Sequence, residues 1–460
     1  MEASLLPREQ CEDALPVRLV GKGELEAATS GLDRVAAAYL DAIGYEPSAG
    51  RVALLPGGDG RPVCALLGTG TSEGSERAFF AGRLATELPA GRYRLENVGD
   101  HAELSALAFV LGGYVFDRYR RVTRKDVRLH VPEGVEPKDV MAIADGVFLA
   151  RDLINTPSSD MGPEELETAA RDLAARHGAA VEVVTGEALL EANLPMVHAV
   201  GRASTRAPRL IDLRWGDPDA RAVTIVGKGV CFDTGGLDIK PHAGMLLMKK
   251  DMGGAAAALG LAHMIMATGL NLRLRVLIPA VENAISGNAF RPGDVLRSRA
   301  GITVEVGNTD AEGRLILADA LTLAEEEEPG LLLDFATLTG AARVALGPDI
   351  PPFFTRHDGL AAALMGEAQE AGDPIWRLPL WTPYERMLKS KVADTDNTGQ
   401  GGFAGSITAA LFLSRFVSPR TQWAHFDIYG WNPTQNPVCP EGGEAQAIRT
   451  VFSLLRKSRI

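Results

Sequence analysis

Apolar runs alternate with helical patterns over the last two thirds of the chain, and this order limits the folds open to it. The runs, each long enough for one strand, are residues 181–184, 222–226, 272–279, 331–335 and 423–428. Helical stretches follow most of them. Strands separated by helices predict a mostly parallel sheet that is covered on both faces. In such sheets, ligands bind at the carboxyl ends of the strands.

A second unit precedes this sheet, because 460 residues are more than a single core usually organises. Residues up to 145 alternate strand-like segments (51–55, 63–67) with helix-like segments (75–87, 101–119). A helical pattern over 137–154 then ends at a polar, Pro-containing segment. We expect a smaller N-terminal α/β domain over 1–145, ending in or followed by a linker helix, and a larger α/β domain over 146–460.

Composition restricts the partners and the compartment. The 47 basic and 59 acidic residues give a formal charge of −12, which disfavours non-specific binding to nucleic acid or anionic membrane. Four dispersed cysteines, with no CxxC pair, argue against a thiolate metal site or a disulfide framework. The N-terminus lacks the apolar run of a signal peptide, so we expect a cytoplasmic protein. The uncharged, Gly/Ala-rich stretch 252–272 predicts a helix buried in the core rather than a membrane span.

Acidic residues, lysines and an arginine cluster behind the apolar runs. They are Lys228, Asp233, Asp238, Lys240, Asp251, Asp310, Glu312 and Arg314. The last three occupy alternate positions before a helical pattern that begins at Leu315, so an extended segment would point them to one side. Carboxylates brought together repel each other unless cations neutralise them.

Two interpretations of these charges remain open on the pattern alone. A single Asp or Lys is commonly a helix cap or a solvated charge, and the segment 308–315 could be an Asx turn that opens a helix. Three Gly-rich blocks at strand ends favour a metal site instead. Oxygen ligands suit Mn²⁺ or Mg²⁺, and Zn²⁺ also accepts them. None of the eight histidines lies in these blocks and no HExxH occurs, which argues against a histidine-based zinc protease.

A series of longer blocks carries a family resemblance. In chain order they read VGKGVCFDTGG, DIKP, MKKDMGGAAA, PAVENAISGNAFRPGDV, NTDAEGRL, DFATLTGA and HFDIYG. They resemble the leucyl aminopeptidase family, the M17 class of metallopeptidases also called cytosol aminopeptidases, over roughly residues 150–460. The resemblance implies a two-domain protein with a catalytic C-terminal domain. It also implies hydrolysis of N-terminal residues from peptides with a free N-terminus, and a homohexamer.

The resemblance assigns roles by position. It implies two divalent cations, Zn²⁺ or Mn²⁺ with Mg²⁺ or Co²⁺ as alternatives, and Asp233 and Glu312 would bridge both ions. The implied metal ligands are Lys228, Asp233, Asp251, Asp310 and Glu312, with Asp310 also offering its backbone carbonyl. Lys240 and Arg314 correspond to catalytic residues that bind no metal, and a bicarbonate held at Arg314 would act as general base.

These residue types fit that chemistry. Two cations about 3.5–4 Å apart can activate a shared water and polarise the scissile carbonyl. One of them can bind the free α-amine of the substrate. A charged Lys240 can stabilise the oxyanion, whereas Lys228 must be deprotonated to act as a ligand.

The resemblance places the substrate at Met248, Asn308, Thr337 and Gly340. Met248 and Thr337 indicate an apolar pocket for a Leu-like first residue, although Met248 could equally be a core methionine. Two departures from the family occur: Thr234 replaces a usual Ser, and the segment 436–449 replaces a Gly-rich loop near the pocket. The second departure leaves the preferred side chain open.

Two competing signals lie in the N-terminal domain. Residues 70–74 match the G-x-S-x-G nucleophile elbow, and Ser72 with His101 or His130 would indicate a serine hydrolase. The basic segment 118–125 is the only support for nucleic-acid binding, and the acidic total favours a solvated surface there instead.

Overall fold

The computed structural model describes residues 4–8, 11 and 13–457. Residues 1–3, 9, 10, 12 and 458–460, which belong to the two expected domains, lie outside the described residues. The chain forms two compact units, Met1–Phe148 with Thr434–Glu441, and Leu149–Pro433 with Gly442–Ile460. The division expected at residue 145 places 434–441 with the larger domain, whereas in the structure this segment belongs to the first unit.

The first unit is built on a six-stranded sheet in the order β1-β6-β5-β2-β4-β3. Its strands are β1 (Leu5–Leu6), β2 (Leu15–Gly21), β3 (Val52–Pro56), β4 (Pro62–Gly70), β5 (Gly91–Glu96) and β6 (Val127–His130). Its helices are α1 (Leu25–Thr29), α2 (Arg34–Ala42), α3 (Gly74–Phe79), α4 (Leu84–Glu87) and α5 (Ala102–Gly112), with 3₁₀ turns at Phe80–Arg83 and Gly99–His101. Only β3 is antiparallel to its neighbour.

The strand-like runs of this unit are confirmed as β3 and β4, but its helices are shorter than predicted. The helix expected over 75–87 is interrupted by the 3₁₀ turn that contains Gly82. A Cβ at Gly82 would lie 2.1 Å from Pro437 O, so close backbone packing fixes this turn. The helix expected over 101–119 ends at Gly112, which packs on Gly82 in turn.

The second unit is built on a nine-stranded sheet. Its first helix, α6 (Pro137–Asn155), contains the boundary between the two units, after Phe148. The helices are α6 (Pro137–Asn155), α7 (Pro163–His177), α8 (Ala188–Glu191), α9 (Pro195–Gly201), α10 (His242–Met245), α11 (Gly253–Thr268), α12 (Glu312–Glu325), α13 (Gly340–Leu346), α14 (Asp358–Ala371), α15 (Gly405–Leu413) and α16 (Ile448–Arg456). The 3₁₀ turns are Met248–Met252, Thr382–Leu388 and Ser414–Phe416. The strands are β7 (Ala180–Thr185), β8 (Arg209–Gly216), β9 (Ala222–Gly227), β10 (Gly229–Asp233), β11 (Arg273–Asn283), β12 (Val295–Arg297), β13 (Thr303–Glu305), β14 (Leu331–Ala336), β15 (Pro352–Phe354), β16 (Trp376–Arg377), β17 (Thr395–Asp396), β18 (Trp423–Asp427), β19 (Trp431–Asn432) and β20 (Gly442–Gly443).

The centre of this sheet is parallel. The order is β16-β15-β18-β14-β9-β11-β8-β7, and β10 pairs with the end of β11. Strands β18, β14, β9, β11 and β10 run parallel, while β8 and β15 are antiparallel to their central neighbours. The α/β class and the mostly parallel sheet are therefore confirmed. A three-stranded sheet (β12-β13-β17) and the pair β19-β20 complete the unit.

The five apolar runs correspond to β7, β9, β11, β14 and β18, as predicted. Strand β8 was missed because Arg209, Asp212 and Arg214 interrupt its apolar pattern. Asp212 is nevertheless buried, and Arg275 of β11 donates to it at 2.7 Å. A buried ion pair across two strands thus replaces the expected apolar contact.

The uncharged stretch 252–272 forms α11, and every residue from 253 to 266 is buried. The helix ends at Gly269, whose φ of 65° is the usual helix stop. A Cβ at Gly227 would lie 2.7 Å from Ala255 Cα, so α11 approaches the end of β9 closely. This contact brings Asp251, just before α11, to the strand ends. Among the described residues, no helix is long and apolar enough to cross a membrane.

Candidate metal centre

The centre lies where the parallel strands end. Lys228 separates β9 from β10, Asp233 is the last residue of β10, and Thr337 follows β14 directly. Because parallel strands end at one edge of their sheet, these side chains share one location. The position of Lys228 and Asp233 behind a predicted strand indicated this location, whereas Thr337 was expected from the resemblance alone.

Lys228 is the hub of one half of the centre. Its Nζ lies 2.8 Å from Asp251 Oδ2 and 3.0 Å from Glu312 Oε1, and it donates to Thr337 O at 3.0 Å. Thr337 Oγ1 in turn donates to Asp251 Oδ1 at 2.7 Å. All four residues are buried.

Lys240 is the hub of the other half. Its Nζ lies 2.9 Å from Asp233 Oδ2 and also pairs with Asp310 Oδ1. Asp233 Oδ1 accepts hydrogen bonds from Asn283 Nδ2 and Gly235 N, both at 2.8 Å. The carboxylate of Asp233 is therefore fixed on two sides.

Three carboxylates lie close enough to share a metal ion. One oxygen from each of Asp233, Asp310 and Glu312 lies within 4.8 Å of the others. Glu312 Oε2 is fully buried and has no hydrogen-bond partner among the described residues. An unpaired buried carboxylate oxygen is costly, and a cation beside it would remove that cost. The donor set therefore fits a divalent metal.

The acids repel each other in this geometry. Burial and the charge of Asp233 raise the pKa of Glu312 to about 8. The same two causes, opposed by Lys240, raise the pKa of Asp310 to about 7. Burial raises the pKa of Asp251 against the attraction of Lys228. Asp233 differs: burial raises its pKa, but Lys240 and Lys228 outweigh burial and lower it.

The neighbouring acids favour the protonated form of both lysines in the metal-free chain. Burial lowers the pKa of Lys228, but Asp251 and Glu312 outweigh burial and raise it above its usual value. Burial also lowers the pKa of Lys240, but the negative charges of Asp233 and Asp310 outweigh burial and raise it. A cation bound by Lys228 must therefore displace a proton from its Nζ.

The signature segment 308–315 does not have the extended form that we expected. Helix α12 begins at Glu312, so Glu312 and Arg314 lie in its first turn rather than before it. Asp310 precedes the helix in a turn that Asn308 closes, because Asn308 Oδ1 accepts from Asp310 N at 2.7 Å. The acids converge through this turn and a helix N-terminus, which stabilises nearby negative charge.

Arg314 is buried in the first turn of α12. Its Nη1 donates to Asn397 O at 2.6 Å, and its buried Nε has no hydrogen-bond partner among the described residues. Burial lowers the pKa of Arg314 to about 10. The guanidinium remains charged at neutral pH and keeps donors that an anion could accept.

The four expected substrate residues differ in burial and contacts. Met248 is half-buried in the 3₁₀ turn before α11. Asn308 uses its side chain within its own turn, and Thr337 uses its hydroxyl on Asp251. Gly340 begins α13, and a Cβ added there would meet nothing within 4 Å.

Several residues of the site were not predicted. Asn283 holds Asp233, and Asn397 contacts both Arg314 and the turn at Asn308. Asp427 accepts from Leu338 N and Thr339 N at 3.1 and 3.0 Å, which fixes the loop after β14. Asn283 and Asp427 end apolar strands, and that position was a usable signal. Asn397 lies in a short polar segment that carried no such signal.

In the divergent segment 436–449, Glu444 and Gln446 form contacts within the fold. Glu444 pairs with the buried Arg151 at 2.8 Å. Gln446 Oε1 accepts from Tyr429 N at 2.8 Å and Gly430 N at 3.2 Å, and its Nε2 donates to Pro348 O. These contacts fix the loop after β18. That loop lies beside Thr337, since a Cβ at Gly430 would meet Thr337 Cγ2 at 3.1 Å.

Comparison with known proteins identifies this arrangement. A family model described as the cytosol aminopeptidase family, catalytic domain, matches residues 148–452. A second model, the M17 aminopeptidase N-terminal domain, matches residues 15–132. The chain belongs to the M17 cytosol aminopeptidase family. It is thus a peptidase, and the family is metal-dependent, in agreement with the carboxylate cluster.

Individual relatives match most of the chain. A probable cytosol aminopeptidase of Syntrophotalea carbinolica is 40% identical over 421 residues, covering 86% of this chain and 83% of the relative. The crystal structure of the cytosol aminopeptidase from Coxiella burnetii is 47% identical with a TM-score of 0.94, covering 99% of this chain and 100% of that one. The bottromycin maturation enzyme BotP in complex with Mn is 34% identical with a TM-score of 0.88, covering 97% and 99%.

The competing signals gain no support from this M17 chain. Among the described residues, no hydrogen bond joins the Ser72 side chain to His101 or His130, and His130 Nδ1 contacts Pro7 O instead. In the basic segment, Arg124 pairs with Asp117 and Lys125 donates to Thr86 O.

Proposed function

We propose that this metal-dependent aminopeptidase uses two divalent cations and releases apolar, Leu-like residues from the N-terminus of peptides. The observation that carries the proposal is the convergence of Asp233, Asp310 and Glu312 within 4.8 Å, beside a fully buried Glu312 oxygen with no hydrogen-bond partner among the described residues. Four acids face two lysines here, and the excess negative charge matches added cations.

The proposed ligands are Lys228, Asp233, Asp251, Asp310 and Glu312. Asp233 and Glu312 would be the pair that holds both ions, as the family resemblance implies, and the closeness of their carboxylates supports this role. Zn²⁺ and Mn²⁺ are the proposed ions, with Mg²⁺ or Co²⁺ as substitutes; the manganese complex of BotP supports manganese. Bound cations supply Lewis-acid polarisation of the scissile carbonyl and a water of lowered pKa.

The chain's own residues complete the chemistry. Lys240 keeps its proton and lies between Asp233 and Asp310, so its ammonium can donate to the oxyanion that develops on the carbonyl oxygen. Arg314 retains a buried Nε donor without a partner among the described residues, which suits a bicarbonate acting as general base. Thr337 orients Asp251, because its hydroxyl donates to that carboxylate.

Substrate and context are part of the same proposal. Met248, Asn308, Thr337 and Gly340 line the pocket for the first residue and the peptide backbone, and the half-buried Met248 supports an apolar preference. We assign catalysis to residues 146–460 and a non-catalytic role to residues 1–145. The enzyme is proposed to be a cytoplasmic homohexamer.

The test uses the full chain stripped of metal and resupplied with Zn²⁺ or Mn²⁺. Leu-, Met-, Ala- and Cys-Gly-type substrates should be cleaved only after metal is restored, with Leu or Met preferred. A fluorophosphonate should have no effect, since Ser72 is not the nucleophile. Activity that survives full metal removal, or an unchanged metal content in Asp310→Ala, would refute the two-metal assignment.

A further inference from the structure

We infer that Asn397 is a positioning residue that sets both the metal-ligand turn at Asp310 and the direction of the Arg314 guanidinium. This inference rests on the proposed function for its catalytic meaning. Asn397 lies just after β17 and is 0% exposed. It is 83 or more residues from the groups that it holds.

The side chain of Asn397 clamps the signature turn from both sides. Its Oδ1 accepts from Gly307 N at 2.8 Å and Asn308 N at 3.2 Å. Its Nδ2 donates to Asn308 O at 2.8 Å and Ala311 O at 3.4 Å. Only a primary amide offers an acceptor and two donors in this geometry. The clamp therefore spans the residues on both sides of Asp310.

The backbone of Asn397 controls Arg314. Its carbonyl accepts the hydrogen bond from Arg314 Nη1 at 2.6 Å, which is the one hydrogen bond that this guanidinium makes among the described residues. Asn397 N donates to Glu305 O at 3.0 Å, which ties the carbonyl to β13. The same residue thus fixes the metal-ligand turn through its side chain and the guanidinium through its main chain.

The neighbouring residues leave the clamp little freedom. A Cβ at Gly307 would lie 2.5 Å from Asp396 Oδ1, so the turn packs directly on the segment that carries Asn397. An Asp at 397 would keep the bonds that Oδ1 accepts from Gly307 N, Asn308 N and Thr398 Oγ1, but would set a carboxylate oxygen against the carbonyls of Asn308 and Ala311. Such a change moves Asp310 and Arg314 without altering either residue.

The experiment compares Asn397→Asp and Asn397→Ala with Thr395→Val. Thr395 is a matched control: it is 0% exposed in β17, two residues before Asn397, and its hydroxyl donates to Leu388 O and Asp396 O rather than to the turn. At saturating Mn²⁺ with a leucyl substrate, we expect Asn397→Asp to lower kcat about 10–100-fold, as for other residues that orient metal ligands, with KM changed less than about threefold. Thr395→Val should lower the melting temperature and keep kcat within about twofold.

A second readout needs neither metal nor activity. Hydrogen exchange on the metal-free chain should show loss of protection at the amides of Gly307 and Asn308 in Asn397→Ala, and unchanged protection there in Thr395→Val. Unchanged protection in Asn397→Ala, or kcat within about twofold of the unsubstituted enzyme in Asn397→Asp, overturns the inference. So does an equal loss of kcat in Thr395→Val. An unsubstituted chain with no aminopeptidase activity would refute the proposed function instead, and hydrogen exchange would still decide the role of Asn397.

Discussion

The two ends of β11 lie beside ionic clusters built from the same kinds of residue. Near its start, two arginines and two acids form what we call the edge network: Asp212, Arg214, Arg275 and Glu327. Arg275 binds Asp212 at 2.7 Å and Glu327 at 3.0 Å, and Arg214 binds Glu327 at 2.7 Å and Asp212 at 3.0 Å. Each charge has an opposite partner on two sides.

Near the other end of β11, charges do not balance. The metal-site cluster, defined as Lys228, Asp233, Lys240, Asp251, Asp310 and Glu312, has four acids for two lysines. In the edge network, hydrogen bonds from Arg214 lower the pKa of Glu327. In the metal-site cluster, burial and neighbouring acids raise the pKa of Glu312 to about 8.

The contrast separates structural ion pairs from the proposed metal centre. A balanced network contributes to folding and needs no ligand, whereas an unbalanced buried cluster opposes folding until a cation binds. Burial and the types of charged residue do not distinguish the edge network from the metal-site cluster. The two differ in the number of opposite charges that lie within reach of each acid.

The largest difference between the clusters should appear in catalysis. Glu312→Gln removes a proposed bridging ligand, and kcat/KM should fall roughly 10³-fold, about 4 kcal/mol. Glu327→Gln, the same substitution in the edge network, should leave kcat/KM within about twofold. Steady-state assays with metal analysis measure both, and full metal content in Glu312→Gln would contradict the assignment.

For the stability of the metal-free chain, a substitution in the edge network should have the larger effect and a substitution in the metal-site cluster the smaller one. Asp212→Asn leaves the Arg275 side chain, 7% exposed, without its nearest opposite charge, and the free energy of unfolding should fall by about 3 kcal/mol. Urea denaturation of the metal-free protein gives this value. The paired control is Glu312→Gln, which relieves repulsion and should not destabilise the metal-free chain. A loss below about 1 kcal/mol in Asp212→Asn would show that the edge network contributes as little as a surface pair.

Added metal should increase the free energy of unfolding of the chain through the metal-site cluster and not through the edge network. At a free Mn²⁺ or Zn²⁺ concentration of about 100 Kd, the unsubstituted chain should gain about 2.7 kcal/mol. Asp212→Asn should gain the same increment, and Glu312→Gln should gain far less. Thermal denaturation with and without chelator measures the gain; an equal gain in Glu312→Gln would place the ions elsewhere.

The smallest expected effect concerns acid pH. The pKa of Glu327 is lowered in the folded chain from its ordinary value of 4.5, so its contribution to stability is present above pH 4.5 and is lost as pH falls through the lowered pKa. Glu327→Gln should therefore lower the melting temperature slightly at pH 7, and the difference should vanish towards pH 3. The side chain is 40% exposed, so solvent limits the effect. A difference that grows below pH 4.5 would contradict the lowered pKa.

The sequence by itself determined the central strands and the family. Runs such as 222–226 and 331–335 became β9 and β14 because a strand buried on both faces is apolar at every position. The helix α11 followed from its uncharged composition in the same way. The position of Lys228 and Asp233 after a predicted strand was also evident from the sequence, whereas the full set of proposed metal ligands was implied by the family resemblance.

Only the tertiary structure decided the rest. An ion pair between Asp212 and Arg275 joins strand β8 to β11. From the local sequence pattern alone, such charged residues are predicted to be exposed. The start of α12 at Glu312 depends on an Asx turn that Asn397 clamps from a distant segment. Local sequence fixes periodicity and backbone preference, but contacts between distant residues depend on register and packing, which exist only after the chain has folded.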